Sequence, residues 1–78
     1  EEFAVLLTAT DAVQAQEVIE TLRECVPLEE TVSAGIAQWD NAESSAELFA
    51  RADAALYRAK RSGRDRTVLA AGGELTPA

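Results

Sequence analysis

Apolar positions along the chain follow two periods in turn. Phe3-Ala4-Val5-Leu6-Leu7-Thr8 is a short apolar run with β-branched and aromatic members, bounded by acids and by Thr10-Asp11. It predicts a strand buried on both faces or nearly so. Asp11 is a candidate N-cap with Gln14 three residues later, and Ala15, Val18, Ile19, Leu22 and Val26 then recur at helical spacing until Pro27 stops them. Glu17, Glu20, Arg23 and Glu24 fall off that stripe, as a solvated face requires. In Thr31-Val32-Ser33-Ala34-Gly35-Ile36-Ala37 the period returns to two, with Val32, Ala34 and Ile36 on one face and small residues on the other. This is a strand packed closely on a neighbour, and Gly35 marks the close approach. Ser44 with Glu47 reads as a capping box, followed by the stripe Leu48, Ala52, Ala55, Leu56 and Ala59, with Gly63 as the residue just past the helix end. A last strand, Thr67-Val68-Leu69-Ala70, precedes a tail, 71–78, with Gly72-Gly73 and Pro77, that should be mobile.

Strand, helix, strand, helix, strand is an α/β (α+β) order, a sheet with helices packed on it. Residues 1–70 form one unit with no linker and no internal repeat. Three strands and two helices make a thin layer, and a sheet whose first strand starts at Phe3 has an edge open to pairing. A chain of 78 residues holds one small core at most, which excludes a two-domain enzyme. Its apolar content excludes intrinsic disorder, and no run reaches the roughly 20 apolar residues that a membrane-spanning helix needs. One cysteine makes no internal disulfide, which points to a reducing, cytoplasmic setting. Cys25, beside the first helix's stripe, is expected to be a small buried hydrophobe, since no His is present to activate it. The sequence contains no methionine and opens inside an apolar strand, so it is expected to be a piece of a longer polypeptide.

Charge changes the picture more than composition does. The formal net charge is −7, but Glu1 to Ala50 holds eleven acids and one base, net −10, whereas Arg51 to Ala78 holds six bases and three acids, net +3. Such asymmetry marks where an anionic partner can sit. Two clusters carry candidate chemistry. Glu1-Glu2 at the mouth of a strand could hold Mg²⁺, which takes carboxylate oxygens together with substrate phosphates, although exposed acid pairs also serve simply to solvate a terminus. Arg58, Lys60, Arg61, Arg64 and Arg66 gather at the end of the second helix, where they could contact a nucleoside triphosphate or only complement the helix dipole. Trp39 could cap the core or face a partner. Asp53, within reach of Arg51 or Arg58, and a packed Tyr57 read as structural.

Three segments together resemble the GGDEF, or diguanylate cyclase, family. Glu-Glu-Phe-Ala-Val-Leu-Leu at residues 1–7 resembles the second part of the GG(D/E)EF hairpin and its strand. Residues 31–37 resemble the T-V-S-x-G-x-A strand, and residues 51–65 resemble the R-A-D-x-A-L-Y-x-A-K-x-x-G-R-N/D block. The resemblance runs from Glu1 to about Leu69 in the family's order and spacing. It implies a ferredoxin-like, adenylate-cyclase-like palm. It also implies the condensation of two GTP molecules into cyclic di-GMP for bacterial signalling, by two domains that face each other as a homodimer with two Mg²⁺ per site. Carried over by position, Glu1 matches a metal ligand and Glu2 the catalytic carboxylate beside the reacting groups. Lys60 and Arg64 match the residues that hold the terminal phosphates.

The same resemblance implies what these 78 residues do not contain. The signature's two glycines, a further strand with a metal-binding Asp, the guanine-recognising residues and any R-x-x-D inhibitory motif are absent from them. The chain is therefore expected to be the C-terminal part of the domain and to need the N-terminal half as a partner for cyclase activity. It is not expected to contact nucleic acid or membrane. Two other roles stand beside that of a cyclase part: a degenerate domain that binds GTP or cyclic di-GMP as a regulatory module, and a structural oligomer sealed through the open edge.

Overall fold

The two periods resolve into six elements: β1 (Glu2–Ala9), α1 (Ala12–Cys25), β2 (Thr31–Gln38), α2 (Ser45–Arg61), β3 (Thr67–Leu69) and β4 (Gly73–Thr76). They are seen in a computed structural model that describes residues 2–70 and the backbone of residues 73–76. One sheet has the order β1-β2-β3-β4. Its first three strands are parallel, and β4 runs antiparallel to β3 with an irregularity between Thr67 and Val68. Three parallel strands and two helices form an α+β unit consistent with part of a GGDEF palm. The fourth strand lies where the apolar pattern predicts only a tail, because Gly73–Thr76 has neither alternation nor β-branched density to announce a strand.

Helix ends sit where capping chemistry puts them. The Asp11 carboxylate accepts the N–H groups of Val13 (2.9 Å) and Gln14 (3.3 Å) at the start of α1. Val26 is forced extended ahead of Pro27 and ends that helix. At α2 the capping box is complete: the Glu47 N–H donates to Ser44 Oγ (3.1 Å) and the Ser44 N–H to Glu47 Oε1 (2.9 Å). The far end closes with Gly63 at φ 130° and the Arg64 N–H on the Ala59 carbonyl (2.9 Å), the six-to-one bond of a Schellman turn.

The pleat of β2 sends the helices to opposite faces. Ala34 and Ile36 pack with Ala15 and Ile19 of α1 and with Val5, Leu7, Ala9 and Leu69. Gly35, on the other side, lies under α2. A Cβ there would sit 2.2 Å from the Leu56 nitrogen and 2.4 Å from the Ala52 carbonyl oxygen. Ala55 and Ala59 extend this second layer over Val68 and Ala70. Alanines line the helix because the backbones meet too closely for anything longer.

Three sequence expectations about burial are corrected. β1 is an edge strand whose Phe3, Ala4 and Thr8 are exposed, so it is not buried on both faces. Val18 and Leu22 are half-exposed, because only β1 is available to cover their side of α1, leaving Ala15 and Ile19 to fill the core. Cys25 closes the last turn of α1 and is exposed.

Candidate functional site

The N-terminal ends of β1, β2 and β3 meet the loop that leaves α2. Register pairs Glu2 with Thr31 and Ala34 with Thr67, and the Ala34 N–H donates to the Arg66 carbonyl at 2.9 Å, so residues 62–66 are drawn across the strand ends. Gly63, Arg64 and Asp65 are three consecutive residues with left-handed backbone, φ 130°, 64° and 50°. Two of them carry side chains that disfavour this region by about 1–2 kcal/mol each. The surroundings must hold them there.

Glu2 and Arg64, 62 residues apart, form an ion pair through Glu2 Oε1 and Arg64 Nη1. Ser33 Oγ, fully buried, donates to the other carboxylate oxygen of Glu2 (2.7 Å) and accepts the Asp65 N–H (3.0 Å). Asp65 Oδ1 in turn accepts Arg23 Nη1 (2.9 Å) and the Val32 N–H (3.2 Å), while Arg23 Nη2 donates to the buried Thr67 hydroxyl (3.3 Å). These bonds satisfy Ser33 Oγ, Asp65 Oδ1 and the two terminal nitrogens of Arg23, while Arg23 Nε is buried without a hydrogen bond.

Of the expected site residues, the fold thus joins Glu2 to Arg64. Lys60 lies half-buried in the last turn of α2, four residues before Arg64. Glu1 lies outside the described residues. The remaining basic residues do not converge on this point. Arg58 reaches the Leu69 carbonyl (3.5 Å), Arg61 donates to Tyr57 Oη (2.8 Å) and stacks on its ring, and Arg66 Nε donates to the Arg64 carbonyl (2.9 Å). Tyr57 is exposed and not packed into the core, and Asp53 is exposed while Arg51 is committed elsewhere.

The matching family model is that of the diguanylate cyclase GGDEF domain, and it covers residues 1–66. The chain belongs to the GGDEF family. It is 44% identical over 80 residues to diguanylate cyclase DgcP of Pseudomonas aeruginosa, covering 90% of this chain and 12% of that protein. It is 46% identical over 77 residues to diguanylate cyclase DgcM of Escherichia coli K12, covering 90% and 19%. Diguanylate cyclase A of Treponema denticola is 35% identical over 80 residues, covering 88% and 22%. The chain thus spans between about one eighth and one fifth of the length of these curated relatives. No solved structure matches it.

The strand end of this GGDEF domain does not by itself fit the divalent cation that the family resemblance implies. Among the described residues no group of three or more His, Cys, Asp or Glu is placed to hold a metal. The carboxylates present are already engaged, Glu2 by Ser33 and Arg64 and Asp65 by Arg23 and Val32. These residues do not compose a cation site by themselves. Sequence reasoning missed the Arg23–Asp65–Ser33 connection, because Arg23 sits off the apolar stripe and looks solvated. Its side chain is in fact only 17% exposed. The available signal was that it is the one base in an acidic stretch of 50 residues.

A cavity of about 420 Å³ opens at the opposite end of the sheet between Thr8, Ala9, Thr10, Trp39, Ser45 and Leu48. Trp39 Nε1 donates to the Glu43 carbonyl (3.1 Å) and its N–H to the Ala9 carbonyl (2.8 Å), so it closes the loop between β2 and α2. Arg51 clamps the same loop, gripping both Glu43 oxygens (2.9 and 2.6 Å) and the Gln38 carbonyl (2.6 Å). That hydrogen bonding holds the Glu43 carboxyl below its ordinary value and Arg51 above its own. The N–H groups of Ala42 and then Glu43 lower Asp40 in the same way.

Proposed function

We propose that this chain supplies the triphosphate grip and the catalytic carboxylate of a diguanylate cyclase. In the intact protein two facing GGDEF domains condense two GTP molecules into cyclic di-GMP. In each of the two steps the 3′-hydroxyl of one guanosine unit releases its proton to solvent as its oxygen bonds to the α-phosphorus of the other. The bond from that phosphorus to its bridging oxygen breaks, and pyrophosphate leaves. Arg64 and Lys60 neutralise and orient the β- and γ-phosphates, and Glu2 stands beside the reacting groups. Transfer of this kind depends on positioning and charge neutralisation more than on covalent help. Mg²⁺ would supply further neutralisation with Glu1 as one ligand, the remaining ligands coming from groups outside the described residues.

The contact between Glu2 and Arg64 carries the reading. Two family-signature positions at the two ends of the matched segment meet at one strand end. A guanidinium oriented by a carboxylate is preset for phosphate oxygens, a pair of which also accepts charge-assisted, bidentate hydrogen bonds. The acidic signature positions are intact, which favours turnover over a degenerate binding module.

Cyclic di-GMP production by the full-length protein tests it. Arg64→Ala and Lys60→Ala should each raise the KM for GTP by about tenfold or more, the worth of one hydrogen bond to a charged group. Unchanged KM in both would refute the assignment, and GTP binding without any turnover in the parent protein would favour the regulatory module. The 78-residue chain alone should give no cyclic di-GMP from GTP and Mg²⁺, and turnover by it would sink that part of the proposal.

A further inference from the structure

Arg23 stands apart from every other base in the chain. It is on α1, far in sequence from the basic segment, and its guanidinium is largely buried against the loop that carries Arg64. One nitrogen holds Asp65 and another holds Thr67, while Nε faces Glu20 Oε2 at 3.8 Å without a hydrogen bond. Asp65 is thereby fixed through its carboxylate by Arg23 and the Val32 N–H, and through its own N–H by Ser33. Ser33 continues to Glu2, and Glu2 returns to Arg64, the residue bonded to Asp65 along the chain. This is a closed circuit around two left-handed residues whose own conformational preference would relax it.

We propose that Arg23 is a positioning residue for Arg64. It acts through Asp65 to hold the 63–66 loop in the left-handed form that delivers the Arg64 guanidinium to the strand end. The inference rests on the proposed reading of Arg64 as a phosphate contact. Arg23 itself is not a nucleotide contact, because its guanidinium is largely buried with both terminal nitrogens committed to Asp65 and Thr67. Without its guanidinium the Asp65 carboxylate keeps the Val32 N–H, and the loop is held only by Ser33 and by the exposed Glu2–Arg64 pair, in which Arg64 is the group to be placed. A purely structural anchor from α1 to β3 would lower stability equally whether or not Arg64 were present, whereas a positioning residue loses its effect on GTP once Arg64 is gone.

A double-mutant cycle in the full-length protein separates these cases. GTP dissociation constants are measured by calorimetry, with unfolding temperatures, for wild type, Arg64→Ala, Arg23→Ala, Arg23→Lys, Asp65→Asn and the Arg23→Ala/Arg64→Ala pair. Arg64→Ala should weaken GTP binding by about 10- to 100-fold, the range of a hydrogen bond to a charged group. Arg23→Ala and Asp65→Asn should weaken it several-fold, Arg23→Lys should recover most of that loss, and the pair should bind as Arg64→Ala alone does. If Arg64→Ala weakens binding while Arg23→Ala and Asp65→Asn leave it unchanged, or if the losses multiply in the pair, positioning is overturned and the phosphate reading survives. If Arg64→Ala leaves binding unchanged, both fall. Should Arg23→Ala not fold, Asp65→Asn, alone and combined with Arg64→Ala, carries the same comparison.

Discussion

Gly35→Ala is the most severe single change this fold should register. The added Cβ would lie 2.2 Å from the Leu56 nitrogen, 2.4 Å from the Ala52 oxygen and 2.7 Å from the Leu56 Cα, all of them backbone atoms of α2. No rotamer can relieve that contact. Ordinary separation begins near 3.4 Å, so α2 must retreat by about 1.2 Å. A gap of that size forfeits up to about half of the dispersion well at each contact, and Ala52, Ala55 and Ala59 all rely on it against the sheet. Overpacking typically costs about 1–3 kcal/mol, and a rigid backbone obstacle places this case at about 3. A 78-residue domain has about 4–12 kcal/mol of stability in all. With a urea slope of about 1 kcal/mol per molar, the midpoint should fall by about 3 M, or the chain should be unfolded without denaturant. Trp39 fluorescence across a urea series reads it. A midpoint within about 0.5 M of wild type would refute the close approach. Gly63→Ala differs in cause, since its Cβ meets the movable end of Arg66, and it should lose about 1–3 kcal/mol from φ 130° alone.

Three further outcomes follow from the caps, the charges and the thiol. Ser44→Ala removes one half of a complete capping box and should cost about 1 kcal/mol, read as a drop of about 1 M in the urea midpoint. Asp40 and Glu43 have folded-state values below their unfolded ones, of about 4, so each stabilises the fold above that pH and loses its effect as pH falls through the lowered value. Arg51→Ala removes the largest cause at Glu43, so the loss of stability between about pH 5 and 3 should become shallower; superimposable pH profiles for variant and wild type would contradict this. Cys25 should react with a thiol reagent in the native chain about as fast as in the denatured one, and strong native protection would contradict its exposure.

Most of the fold is legible in the sequence because the signals are local. Asp11, the Ser44–Glu47 pair, Pro27 and Gly63 each terminate an element by satisfying or removing backbone groups within a few residues of themselves. Gly35 announces close approach because nothing else tolerates a neighbouring backbone at that distance. Burial is less legible. The stripe in α1 shows five apolar positions but not how many strands lie beneath them, and with β1 at the edge Val18 and Leu22 are left half-exposed. The site is half legible: Glu2, Lys60 and Arg64 come from the motif, whereas Arg23 and Ser33 take part through contacts across more than 30 residues that no local pattern encodes.

The charge asymmetry bears on the strand end where Glu2 and Arg64 meet. Ligands of open α/β sheets usually bind beyond the carboxyl ends of the strands, yet Glu2 and Arg64 meet at the amino ends, beside the C-terminus of α2. A helix C-terminus carries roughly half a negative charge, which repels phosphate. An anionic ligand is held there only if side chains outweigh the dipole. Lys60 in the last turn and Arg64 just beyond it supply two formal positive charges within five residues. The 420 Å³ cavity lies at the carboxyl ends, but no basic side chain is among the residues that line it, and the Glu43 that borders it is clamped by Arg51, which holds its carboxyl below the ordinary value. Volume alone would place a ligand at the carboxyl ends. Charge instead favours an anion at the other end, where Lys60 and Arg64 follow one another closely in the base-rich segment after residue 50.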